Sequence, residues 1–289
     1  MTMKHSDESL LALCPDIDPE FVRLHTESLG SRYFDVFSGE ETAHHIRDLA
    51  RLSPERPVVV HIKRESSSRI ACTVLGFDYP GEFSLITGIL TGLGLNILSG
   101  DIFTYKEKDK RKTKKGKGKR QGGRRRIIDC FSGSIDSSLS FESWAESCAE
   151  NLTAVIGSLE KGDDASLAEA KQTVNELVAG RLAELDLDSE RILMPVHIET
   201  GTDTGPFTRL KVFSEDTPGF LYALSTAFSL KGINIERVHI RTFEQRIEDE
   251  FDLSDSGHNS IQDPALLNQI KLSVLLTKQF TYFLGRSPD

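Results

Sequence analysis

Two tetrapeptides carry residue types suited to gripping a small zwitterion: Asp78-Tyr79-Pro80-Gly81 and Asp216-Thr217-Pro218-Gly219. In each, proline sets φ and glycine admits a positive φ, so the chain must turn tightly. A helix opening on such a turn presents unpaired backbone N–H groups, which suit a carboxylate. Asp78 or Asp216 could accept hydrogen bonds from an α-ammonium. Further along, Asn96-Ile97 and Asn234-Ile235 add an amide that both donates and accepts. A purely architectural reading competes: Asp caps the helix, Pro-Gly makes the turn, and Asn caps a strand entry. Both readings stay open for a single copy. Retention of the whole set in both copies favours a ligand.

Nothing else in the chain assembles into chemistry. His44-His45 point to different faces of a helix, with no metal-hydrolase spacing beside them. His25, His61, His197, His239 and His258 are isolated and read as surface or strand positions. A Gly-Ser with paired aspartates, a His-Asp dipeptide and a phosphate-cradling G-x-x-x-x-G-K-[ST] are all absent. No catalytic residue, metal site or cofactor is therefore expected. The four cysteines (Cys14, Cys72, Cys130, Cys148) form no C-x-x-C pair, which fits a reducing cytoplasm. Residues 106–126 hold 13 Lys/Arg against two acids, inside a chain whose net charge is −9. This run could attract phosphate, including nucleic acid, but it lacks interleaved aromatics for base stacking. It reads first as a solvated insertion, disordered when free.

The elements that must position the two turns come from an internal repeat. Residues 57–105 overlie 195–243 at a constant offset of 138, and eleven of the 49 pairs are identical. Each copy opens with proline and a β-rich run. A second strand alternates Thr208, Leu210 and Val212 against Arg209 and Lys211. After the turn comes a helix, with Phe83, Ile86, Leu90 and Leu93 on one stripe, ending at Gly94 or Gly232 in a left-handed position. Strands begin at Asn96 and Asn234. The step of three from Ile235 to Val238 predicts a bulge or a late strand start. Another strand follows at 127–135 and 246–254, then a helix at 141–159 and 264–280. The basic run is a long hairpin loop in copy one, replaced by a short connection around Glu244–Gln245 in copy two.

The expected fold class is thus α+β, with two ferredoxin-like units. Each has a four-stranded antiparallel sheet backed by two helices, and the leading hairpin strand fills the slot of the usual last strand. The expected domains are an N-terminal helical segment at 1–56 and a first unit at 57–160 with the basic insertion. A helical linker at 161–190 and a second unit at 191–289 complete the chain. With 289 residues, 38% apolar and 27% charged, the chain suits two ordinary domains. No apolar run reaches 18 residues and the amino terminus is polar, so neither a membrane span nor a secretory signal is expected.

The segments DYPGEFSLITGILTGLGLNILSGDIFT and DTPGFLYALSTAFSLKGINIERVHIRT resemble the ACT domain, a ferredoxin-like regulatory module that often binds amino acids. With its leading hairpin strand, the pair is similar to the tandem ACT region of nitrogen-control nucleotidyltransferases. These are the protein-PII uridylyltransferase and glutamine-synthetase (glutamate–ammonia ligase) adenylyltransferase-like proteins. The helices at 33–37 and 40–52 look like a lead-in from the same group. The resemblance implies a non-catalytic regulatory protein of nitrogen or amino-acid metabolism. It implies a small amino-acid ligand, glutamine favoured, held by Asp78, Tyr79, Pro80, Gly81, Asn96, Ile97, Asp216, Thr217, Pro218, Gly219, Asn234 and Ile235. A homodimer, or a partner or fused enzyme domain, is implied as the recipient of the signal, so the chain is a stand-alone sensor or the regulatory part of a larger protein. The alternatives are an ACT scaffold used only for dimerisation, and phosphate or nucleic-acid binding through Lys106–Arg126.

Overall fold

The structure is a computed structural model that describes residues 7–66, 69–105, 124–136, 139–185, 195–201, 206–243 and 246–283. Most of the basic run (106–123), the Glu244–Gln245 connection and residues 286–289 lie outside the described residues. Four helices lead: α1 (Asp7–Leu13), α2 (Pro19–Ser28), α3 (Ser31–Val36) and α4 (Gly39–Ala50). The first repeat follows with β1 (Val58–Arg64), β2 (Ile70–Phe77), α5 (Glu82–Gly92), β3 (Asn96–Thr104), β4 (Arg126–Ser134) and α6 (Phe141–Lys161). Helix α7 (Asp164–Ala183) connects to the second repeat: β5 (His197–Gly201), β6 (Thr208–Glu215), α8 (Phe220–Leu230), β7 (Asn234–Phe243), β8 (Arg246–Ser254) and α9 (Pro264–Phe283). No described helix is long and apolar enough to cross a membrane.

All eight strands belong to one sheet, in the order β1-β2-β4-β3-β7-β8-β6-β5. Each half supplies four strands in the same internal order. Where the sequence suggests two separate four-stranded sheets, the halves instead join edge to edge through antiparallel pairing of β3 with β7. Asp101 pairs with His239, and Gly100 with Ile240. Asp101 and His239 are equivalents under the 138-residue repeat offset. A pseudo-twofold axis therefore passes between them, the arrangement of an isologous dimer written into one chain. The two outer edges that would otherwise template foreign strands are reduced to β1 and β5.

The chain divides into two compact units. The first comprises Met1–Val59, Val74–Asp78 and Phe103–Ile128. Its core is aromatic: Tyr33 meets Phe37, Phe103 and His25 edge to face or tilted, at centroid separations of 5.0–5.3 Å. Helix α4 starts with a capping box, in which Ser38 and Glu41 each satisfy the other's backbone N–H. Arg126 bonds Leu49 O through Nε at 3.1 Å and lies over the Phe21 ring at 4.8 Å. The end of the basic run is thus structural rather than solvated.

The second unit comprises Val60–Thr73, Tyr79–Ile102 and Asp129–Asp289. Within it α5 packs against α6, α7 and α8, and α8 against α9. Close approach is set by glycine. A Cβ on Gly88 would lie 2.3 Å from Val174 Cγ1 and 2.8 Å from the Tyr222 ring, so α7 and α8 both press on α5 at that position. The β7 bulge falls where the three-residue step placed it: the register with β8 shifts between Ile235 and Arg237. The extra residue, Glu236, turns inward and accepts hydrogen bonds from Ser254 Oγ at 2.7 Å and His258 Nδ1 at 2.7 Å.

Candidate functional site

Both Asp-x-Pro-Gly segments form the turns their residues require. Gly81 and Gly219 cap α5 and α8 at φ 79° and 73°, in the left-handed region. Gly81 is also sterically constrained, since a Cβ there would meet Ser229 Oγ at 2.7 Å. Gly94 and Gly232 close the same helices at φ 82° and 67°, as the repeat suggests.

Around the first turn, the side chains already have partners. In the first unit, Asp78 forms an ion pair with Arg125 at 3.2 Å, and its N–H donates to Arg125 O at 3.0 Å. In the second unit, the Tyr79 N–H donates to the buried Glu82 carboxylate at 2.9 Å, and the Tyr79 hydroxyl donates to Glu160. Pro80 is exposed, as is Asn96, whose carbonyl oxygen sits 2.2 Å from where a Cβ on Gly133 would be. Ile97 is half-buried.

The second turn is more enclosed. Thr217 is buried, and its hydroxyl shares a 2.8 Å hydrogen bond with Thr281 of α9. Asp216, Pro218 and Gly219 are half-buried, and burial raises the Asp216 carboxyl above its ordinary range, with Lys278 opposing that rise. Lys278 itself is fully buried (0% exposed). Its ammonium donates to Glu215 O at 2.7 Å and to Thr217 Oγ1 at 3.2 Å, and lies 3.6 Å from the centroid of Phe220. Desolvation lowers its proton affinity, while Asp216, Asp249 and Glu215 pull the other way. Asp249, buried on β8, is raised by desolvation, and the nearby Lys278 ammonium offsets part of that rise. Asn234 takes the architectural role, donating to Asp255 O at 2.7 Å, beside half-buried Ile235.

The twelve predicted site residues thus sit at two turns and two strand entries, at least five of them hydrogen-bonded within the chain. Lys278 was missed by the sequence reading. The available signal was a lysine spaced at four-residue steps with the apolar residues Ile270, Val274 and Tyr282 of α9. His25 needs correction too. It is neither surface nor strand filler but fully buried on α2, with Nδ1 2.5 Å from the Tyr105 hydroxyl. Burial, with a smaller contribution from His45, pushes its imidazole down to about 3. It is therefore neutral near pH 7 and holds the core together. Cys130 is pushed up to about 11 by burial, and Cys14 and Cys72 are also raised, so these thiols are poor nucleophiles. Among the described residues no cluster of His, Cys, Asp or Glu could hold a metal ion. An open groove of about 580 Å³ lies along α8 and α9, lined by Ala223, Leu276, Thr277, Gln279 and Phe280.

Residues 208–271, from β6 into α9, match the family model of the ACT domain. Over 205 residues the chain is 26% identical to a bifunctional uridylyltransferase/uridylyl-removing enzyme of Rhodopseudomonas palustris, covering 70% of this chain and 19% of that protein. The enzyme of the same description from Bradyrhizobium diazoefficiens is 27% identical over 199 residues, covering 69% and 18%. That of Nitrobacter winogradskyi is 24% identical over 214 residues, covering 70% and 19%. The chain therefore spans about a fifth of the length of these relatives.

Proposed function

We propose that this chain is a non-catalytic regulatory module of nitrogen or amino-acid metabolism that binds a small amino acid, with glutamine the first to test. The observation that carries this reading is the ACT match at 208–271, which contains one of the two repeated Asp-x-Pro-Gly turns. Likeness over two thirds of the chain to bifunctional uridylyltransferase/uridylyl-removing enzymes supports a nitrogen-control setting. In that setting, occupancy of a turn biases how the module packs on a partner or fused catalytic domain, because a ligand shifts an equilibrium only by its differential affinity for two states. Isothermal titration with glutamine and the other amino acids tests this. Heat with a rise in melting temperature is expected; neither signal at millimolar ligand rejects the sensor.

A second reading is favoured by a specific observation. The polar groups of both turns are largely engaged inside the chain, and the repeats already pair through β3 and β7. Under that reading the module is a scaffold for assembly. Oligomeric state measured with and without amino acid separates the two, since a scaffold keeps its state in both.

A further inference from the structure

The second Asp-x-Pro-Gly turn is closed from two sides by groups of the chain itself. On one side is Lys278, whose ammonium bonds the two residues flanking Asp216: the Glu215 carbonyl at 2.7 Å and the Thr217 hydroxyl at 3.2 Å. On the other is Leu182, near the end of α7. The repeat should bring Thr91 to Gly219, as it brings Ser229 to Gly81, because Thr91 and Ser229 are equivalents at the 138-residue offset. Instead, Leu182 Cδ1 is the nearest group, 3.5 Å from where a Gly219 Cβ would be. Among the described residues α7 has no counterpart in the second repeat, and its Leu182 breaks the pseudo-symmetry at this turn.

The repeats also differ in the sign of charge brought to the equivalent turn residue. The hydroxyl of Tyr79 donates to a carboxylate from α6, Glu160, whereas its equivalent Thr217 accepts from an ammonium from α9, Lys278. An ammonium in a dry site persists only where acceptors and opposite charge surround it. Here they are a backbone carbonyl, a hydroxyl, the Phe220 ring and the neighbouring Glu215, Asp216 and Asp249. A free amino acid would bring the same group to an Asp-x-Pro-Gly turn.

We infer that Lys278 is a built-in ligand: its ammonium satisfies the second turn in place of an amino acid's α-ammonium, so the second repeat takes no ligand and the chain binds one amino acid rather than two. This rests on the amino-acid-binding reading above. The extra helix α7 and the lysine of α9 together turn one of two like sites into structure.

Two measurements separate failure of this inference from failure of that reading. Isothermal titration of the full chain with glutamine counts sites. One per wild-type chain is expected; two per wild-type chain overturns the inference while leaving the sensor intact. No binding at all rejects the sensor, and an amine-rescue experiment then decides the role of Lys278. The Lys278→Ala chain is refolded with propylammonium chloride or with equal sodium chloride. Propylammonium should raise its melting temperature by several degrees, or restore folding if the variant does not fold alone, with wild type unchanged. Equal behaviour in the two salts overturns the inference.

Discussion

Replacing Lys278 by Met removes the charge while keeping most of the side-chain volume, so the loss it causes reports electrostatics rather than a cavity. The ammonium makes two hydrogen bonds and sits 3.6 Å from the Phe220 centroid. Breaking a buried charge cluster by removing one partner costs about 3–5 kcal/mol, because the remaining charge is left uncompensated. Desolvation already depresses Lys278, so part of that cost returns when the ammonium is gone. The expected loss is therefore at the lower end, about 3 kcal/mol at pH 7, or a fall in melting temperature of roughly 6–12 °C. The pH dependence has a definite sign. Asp249 is raised in the folded state, so it takes up a proton on folding, and its contribution to stability declines as pH rises from its unfolded value toward its raised folded value. Without Lys278 the folded value climbs further and that decline steepens. The deficit of the Met variant should shrink in acid, near pH 5, and widen toward pH 7. Urea denaturation at the two pH values reads it. A Met variant as stable as wild type at pH 7, or a deficit that grows on acidification, refutes the reasoning.

Three further substitutions probe the frame around the turns. His239→Asp sets two carboxylates directly opposite at the pseudo-twofold axis and removes the 3.0 Å hydrogen bond to Asp101, so a loss of roughly 2 kcal/mol is expected in denaturant melts; His239→Asn should lose less. Gly81→Ala places a Cβ at φ 79° and against Ser229 Oγ, costing about 1–2 kcal/mol for the backbone alone. Pairing it with Ser229→Gly should recover only the steric part, as a double-mutant cycle would read. His25 is depressed to about 3 from 6.5, so the folded state holds fewer protons and stability falls as pH drops below 6.5. The slope approaches about 1.4 kcal/mol per pH unit, and His25→Gln should remove it. Equal slopes in the two proteins would contradict a buried neutral imidazole.

The residues that only one backbone geometry tolerates were the legible ones. Gly81, Gly94, Gly219 and Gly232 read as left-handed positions because proline-glycine turns and helix ends leave few alternatives, and all four adopt positive φ. The Ile235–Val238 step reads as a bulge or a late strand start because strand side chains alternate strictly, and the register shift between Ile235 and Arg237 makes it a bulge. Within the helical segment expected at 1–56, the sequence does not mark the separate bounds of α1 and α2. Both helices are short, and their apolar residues Leu10, Val22 and Phe21 make sense only against Ala43 and Ile46 of a later helix.

What the sequence by itself determined is local: which residues turn, and where strands and helices start. The tertiary structure decided the rest. Joining of the halves through β3 and β7 depends on two exposed edges meeting, which no periodicity records. Burial of Lys278 and His25 depends on acceptors and rings brought from elsewhere, Thr217 and Phe220 for the lysine, Tyr33 and Tyr105 for the histidine. A side chain's charge state and solvation follow from what surrounds it in space, and the hydrogen-bond partners Thr217 and Tyr105 lie 61 and 80 residues away along the chain.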